Sequence, residues 1–162
     1  MNDEIFLDPT DLRILDQLQT DATQTNQELA ATVHTSPATC LRRVKRLVET
    51  GVIECRVAIL SPQKVGSGLT AIAEVSLDRQ GAEHLDAFEA RAVAEAEVQQ
   101  CYRVAPGPDL ILVLQLADMA AYNRLVQRLF TQDANVRNVK TYFSVSRAKF
   151  ETRVPLRPTV SR

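Results

Sequence analysis

Ser36-Pro37-Ala38-Thr39-Cys40-Leu41-Arg42-Arg43-Val44-Lys45-Arg46-Leu47 is the stretch on which the fold turns. Ser36 suits an N-cap, whose hydroxyl accepts a backbone N–H, and Pro37 suits the first helical position, where a missing N–H costs nothing. Cys40, Val44, Leu47 and Val48 then recur at i, i+4, i+7 and i+8 and make one apolar face. Thr39, Arg42, Arg43 and Arg46 take the other side, with Lys45 at its margin. A short cationic helix that buries one face and offers the other matches a DNA major groove, which admits an α-helix. A solvated surface helix has the same composition, so the neighbouring segments decide.

Those segments favour DNA. Asp8-Pro9-Thr10-Asp11 reads as an N-cap, a first-turn proline and an acid placed at the positive end of a helix. Leu12, Leu15 and Leu18, with Ile14 beside them, form the apolar stripe of that first helix. Thr25-Asn26-Gln27-Glu28 is a capping box for a second helix, Glu28 to Val33, with Leu29, Ala30 and Val33 turned inward. His34-Thr35 leaves only a tight turn before Ser36, and two helices so joined, the second basic, make a helix-turn-helix. Gly51 stands where a helix end wants a left-handed residue. Val52 to Ile59 is expected to pair back as a small β-wing.

Ser61-Pro62-Gln63-Lys64-Val65-Gly66-Ser67-Gly68 concentrates proline, serine and glycine and reads as a hinge. Leu69, Ala71, Ala73, Val75 and Leu77 then alternate with polar residues, Ile72 excepted, as a half-buried strand. A helix over Gly81 to Ala94, strands over Val98 to Val104 and Leu110 to Leu116, a helix marked by Met119, Tyr122, Leu125, Val126, Leu129 and Phe130, and a last strand with Val139, Thr141, Phe143 and Val145 complete the order β-α-β-β-α-β, the ferredoxin-like arrangement. Leu110-Ile111-Leu112-Val113-Leu114 is apolar on both faces of its strand. The two helices of this fold cover one face of the sheet, and an uncovered antiparallel face is normally polar. The same sheet of a second subunit is the economical cover, so a homodimer is expected, with tetramers or octamers left open.

The residues Leu7-Asp8…Asp11…Ile14-Leu15…Leu18-Gln19, Asn26…Glu28-Leu29-Ala30, Ser36-Pro37…Cys40-Leu41…Arg43-Val44…Leu47, Gly51-Val52-Ile53, Asp118-Met119…Tyr122 and Thr141-Tyr142 resemble, in that order and over nearly the whole chain, the leucine-responsive/asparagine-specific (Lrp/AsnC) transcriptional regulators. The resemblance implies an α+β chain. A winged helix-turn-helix DNA-binding domain over 1–60 leads through the hinge 61–68 to a ferredoxin-like (βαββαβ) effector-sensing and dimerisation domain over 69–148, with a tail over 149–162 whose stretch from Arg153 to Arg162 is either disordered or draped on a neighbour. It also implies a dimer on a pseudo-palindromic duplex site. Thr39, Arg42 and Arg43 are the candidates for base edges and near phosphates, Lys45 and Arg46 for the backbone, and Ser36 joins them at the helix start. Arg43 lies nearest the buried face, where an intramolecular salt bridge competes with a DNA contact.

Family members commonly carry Gly-x-Tyr/Phe-Asp in the turn between the second and third sensor strands, lining a cleft for a small effector, often an amino acid. This chain has Pro106-Gly107-Pro108-Asp109-Leu110, with only Asp109 in register. Proline offers no N–H to a ligand carboxylate and fixes φ. Three outcomes stay open: Gly107 takes over by a one-residue shift, the effector differs, or there is none. Gly107, Asp109 and Leu110 are the candidate effector residues, and a tight turn in which Asp109 satisfies backbone donors is their structural alternative. His34 stands where the family usually has glycine and is expected to adopt a left-handed conformation near DNA.

Composition narrows the field. The 162 residues carry a net charge of −1, so affinity for DNA must come from docking geometry and not from bulk attraction. Cys40, Cys55 and Cys101 are odd in number and widely spaced, without metal-ligand spacing, and no cofactor or metal is expected. The N-terminus is acidic and the longest apolar run is Leu110 to Leu114, so neither a signal peptide nor a membrane span is expected and the cytoplasm is the expected location. Two distant histidines and no Gly-rich phosphate loop argue against an enzyme. The sirohaem decarboxylases, which resemble this architecture, carry a histidine-rich motif where this chain has Ala105-Pro106-Gly107-Pro108. An architectural role, compacting DNA through higher oligomers, remains the third reading.

Overall fold

In the computed structural model, which describes residues 5–156, each helix of the N-terminal half begins on the side chain expected to cap it. Helix α1 (Pro9–Thr20) starts at Asp8, whose carboxylate accepts from the N–H of Thr10 at 2.8 Å and of Asp11 at 2.9 Å. Helix α2 (Asn26–Thr32) starts at Thr25, and the reciprocal bonds between Thr25 and Glu28 complete a capping box. Helix α3 (Pro37–Glu49) starts at Ser36, which accepts from the N–H of Thr39. Between α2 and α3 the chain reverses through His34 at φ 56°, the left-handed conformation expected of that position, and Asn26 donates to the carbonyl of Pro37 to tie the two helix starts together. Ile14, Leu15, Leu29, Ala30, Val33, Cys40 and Leu47 form the core of this half. Val48 is the exception to the sequence reading: it stands about half exposed, because the buried stripe of α3 runs through Cys40, Val44 and Leu47 and leaves it on the flank.

Gly51 ends α3 at φ 73°, as expected. The strand pairing expected of Val52 to Ile59 is not seen among the described residues. Residues 54–60 carry no strand, and Val57, Ile59 and Leu60 are exposed. A strand at a sheet edge needs a partner ladder, and among the described residues none lies beside this segment.

The second half is one four-stranded antiparallel sheet in the order β2-β3-β1-β4, formed by β1 (Leu69–Leu77), β2 (Val98–Arg103), β3 (Leu110–Leu116) and β4 (Val136–Phe143). Helices α4 (Ala82–Ala94) and α5 (Met119–Leu125) pack on one face, where Ala71, Ala73, Val75 and Leu77 meet Leu110, Leu112, Leu114 and Leu116. Beyond Leu125 the expected helix continues as a π-turn over Val126–Thr131. Bonding from i to i+5 sets residues five apart on one side, which suits Leu125 and Phe130, both buried; Phe130 stacks on Phe88 at 6.4 Å. Val145, expected in the last strand, lies outside it and is fully exposed.

By their contacts the residues sort into two compact units, one of the chain up to Ala58 together with the segment from Lys149 onward, the other Ile59–Ala148. The tail therefore belongs with α1. Gln19 donates to the carbonyl of Val154 at 3.1 Å and accepts its N–H at 2.6 Å, Arg153 pairs with Asp16, and Leu156 packs on the helical core. Residues 153–156 are thus ordered against their own chain, and 157–162 lie outside the described residues.

Candidate DNA interface and effector turn

Helix α3 splits its four cations into two pairs. Arg43 Nη1 donates to Asp8 Oδ2 at 2.6 Å and to Asp11 Oδ1 at 2.9 Å, and Arg46 Nη2 donates to Asp11 Oδ2. Asp11 is only 1% exposed, so this carboxylate, cut off from water, is balanced by guanidiniums of the neighbouring helix. The Arg43 Nε is buried without a hydrogen-bond partner among the described residues, which marks the side chain as turned inward. Hydrogen bonds to Asp8 first and Asp11 next hold the Arg43 guanidinium above its ordinary pKa, against the opposing effect of burial.

Arg42 and Lys45 point outward. Arg42 is exposed and forms no bond with any described residue, and Lys45 makes a loose 3.6 Å pair with Glu49 on its own helix. Ser36 and Thr39 share a 2.9 Å hydroxyl contact at the helix start. Of the six residues expected to meet DNA, Ser36, Thr39, Arg42 and Lys45 lie on the outer side, whereas Arg43 and Arg46 are committed to α1. The signal for that commitment was in the sequence: the first-turn acids Asp8 and Asp11 and the position of Arg43 beside the buried stripe.

The turn after β2 is tied to the sheet. Val104 N–H donates to the carbonyl of Asp109, Asp109 N–H donates to Val75, and the Asp109 carboxylate accepts from Leu77 N–H at 2.7 Å. Asp109 thus satisfies backbone donors. Leu110 is fully buried in the core. Gly107 differs from both: at φ 128° it is exposed, with nothing within 4 Å of where a Cβ would stand. Of the three candidate effector residues, only Gly107 presents backbone to open space.

The sheet face away from the helices carries Ile72 in register with Val113 and Tyr142, and Tyr102 in register with Ile111, flanked by Glu74 and Lys140. Ile72 and Tyr142 are 42% and 43% exposed, an apolar centre that no described residue covers. Among the described residues no cluster could hold a metal ion, and no helix is long and apolar enough to cross a membrane.

Comparison with known proteins accounts for both halves. A winged helix-turn-helix DNA-binding model matches residues 7–54, and the Lrp/AsnC ligand binding domain matches residues 70–154. The chain is 37% identical to the glutamate uptake regulatory protein of Zymomonas mobilis over 153 residues, covering 94% of this chain and 93% of that relative. It is 31% identical to the leucine-responsive regulatory protein of Salmonella typhimurium, covering 93% and 92%. Among solved structures, an AsnC family regulator from Agrobacterium tumefaciens superposes with a TM-score of 0.87 at 32% identity, over 92% of this chain and 97% of that one. A transcriptional regulator from Neisseria meningitidis, solved with L-Met, superposes at 0.85 and 33% identity, over 92% and 96%. A capped cationic helix in one unit, a one-sided ferredoxin-like sheet in the other, and relatives matched over nine-tenths of their length lead to one conclusion: the chain belongs to the Lrp/AsnC family of helix-turn-helix transcriptional regulators.

Proposed function

We propose that this regulator binds a pseudo-palindromic DNA site as a homodimer, α3 entering the major groove of each half-site, and that a small effector such as an amino acid modulates it. The observation that carries the reading is Arg42, exposed on the outer side of α3 and unpaired among the described residues. A free guanidinium near the start of a recognition helix is the group that reads guanine by two hydrogen bonds. Thr39 is its neighbour for base edges, with Ser36 and Lys45 on phosphates. Footprinting on genomic DNA identifies the site, and Arg42→Ala then weakens it by roughly 1–3 kcal/mol per half-site. Unchanged affinity for that site removes this placement.

The uncovered centre of Ile72, Ile111, Val113, Tyr102 and Tyr142 supports a dimer closed sheet to sheet, from which larger assemblies are built. For the effector, the support is the L-Met bound by the neisserial neighbour and the exposed backbone at Gly107. Calorimetry against the twenty amino acids tests it, and no heat from any of them removes amino-acid sensing. We read the chain as a regulator and not an enzyme, since Ala105-Pro106-Gly107-Pro108 lacks the histidines that haem-precursor decarboxylation uses. Acting on DNA, it works in the cytoplasm.

A further inference from the structure

Half of the positive charge on α3 is engaged by α1: Arg43 is 24% exposed, and Arg46, 44% exposed, is held through one of its nitrogens. Arg42 and Lys45 point away from the fold, while Arg43 and Arg46 are held by Asp8 and Asp11 of the first helical turn. We infer that Asp8 and Asp11 are positioning residues that withhold Arg43 and Arg46 from the phosphate backbone, so that α3 offers DNA two cations in place of four.

The inference rests on the reading that α3 enters the groove, and its geometry is self-contained. Both oxygens of Asp11 are spent: Oδ1 accepts from Arg43, and Oδ2 accepts from Arg46 and from the N–H of Asp8 at 3.1 Å. Two carboxylates face two guanidiniums, so the cluster is neutral as a whole. If either arginine left for a phosphate, two carboxylates, one of them in a site that water does not reach, would share a single guanidinium, and leaving a buried charge so poorly compensated is unfavourable. The arginines therefore stay.

The effect on DNA follows from counterion release. Sequence-independent affinity grows with each phosphate that a protein neutralises, and its dependence on salt steepens by about 0.9 in log–log slope for each one. Free arginines on long side chains find phosphates on any duplex. Two arginines locked to α1 do not, and binding to random sequence loses their contribution while Arg42 and Thr39 keep their approach to the bases. The cluster thus lowers the background against which a specific site is found, in keeping with a chain whose net charge is only −1.

The test is fluorescence anisotropy of the full chain on a random-sequence duplex over a salt series. The variants are Asp8→Asn, Asp11→Asn, Arg43→Gln, Lys45→Gln and the double variant Asp8→Asn/Arg43→Gln. Asparagine keeps the N-cap at position 8, and circular dichroism verifies folding. Asp8→Asn is expected to tighten binding to random DNA several-fold at low salt and to steepen the slope by up to about 0.9 per protomer. Asp11→Asn, if folded, steepens it further. Arg43→Gln leaves the slope at the wild-type value, and the double variant abolishes the gain. A merely structural role predicts weaker binding in Asp8→Asn with no steepening. That outcome, or a shallower slope in Arg43→Gln alone, overturns the inference. An unchanged slope in Lys45→Gln instead overturns the placement of α3 on DNA, so the two failures are told apart.

Discussion

Asp8 serves α1 and α3 at once, and its ionisation couples them. Burial pushes its carboxyl up, but the N–H of Asp11, the Arg43 guanidinium and the N–H of Thr10 together outweigh that and hold it below the ordinary aspartate value of 3.8. A carboxyl whose pKa is lowered by folding stabilises the fold above its unfolded value, and that contribution is lost as pH falls through the folded value. Thermal melts of the wild type and Asp8→Asn are therefore expected to differ at neutral pH and to converge on acidification below 3.8. Asp109 makes a comparable bond in the sheet unit, accepting from Leu77 N–H. Asp109→Ala leaves that N–H without its acceptor and is expected to cost about 1–3 kcal/mol in denaturant unfolding, with Asp109→Asn losing less. The same pair of variants sorts the roles of the turn: effector binding that survives Asp109→Asn belongs to backbone at Gly107.

At the scale of elements, the helices were the readable part, because caps are local. Asp8, Thr25 and Ser36 each announce a start within three residues of the groups they bond, and the structure uses all three. Strands β1 and β3 were readable for a related reason, since alternation and a five-residue apolar run need no distant partner to be seen. What escaped needs contacts far apart in sequence. Arg43 and Asp11 are 32 residues apart, and the helical wheel alone places Arg43 between two environments without choosing one. The π-turn after α5 escaped because Leu129 and Phe130 fit an α-helical stripe nearly as well. Residues 54–60 have strand-like composition but no ladder partner among the described residues. At this scale Phe130→Ala is expected to destabilise the sheet unit by about 3–5 kcal/mol, read by urea unfolding, since the stacked Phe88 would then border a cavity.

For the whole molecule, the outer sheet face is where the proposed dimer is tested. Ile72→Glu puts a charge at the centre of the proposed seam and is expected to yield folded monomers in analytical ultracentrifugation, with operator affinity falling as paired half-sites are lost. The order of the chain has a further consequence. Because Gln19 grips Val154 and Leu156 completes the helical core, the DNA-binding unit is not an N-terminal segment that stops at the hinge. It is interrupted: residues 59–148 form an insertion spliced between its body and its last piece. A truncation ending at Leu60 is therefore expected to melt below the same unit in the intact chain, and a peptide of residues 149–156 added in trans to recover part of the difference. The insertion is covalently joined at both ends, after Ala58 and before Lys149, and the second join leads into the segment held by α1, the helix that also holds Arg43 and Arg46.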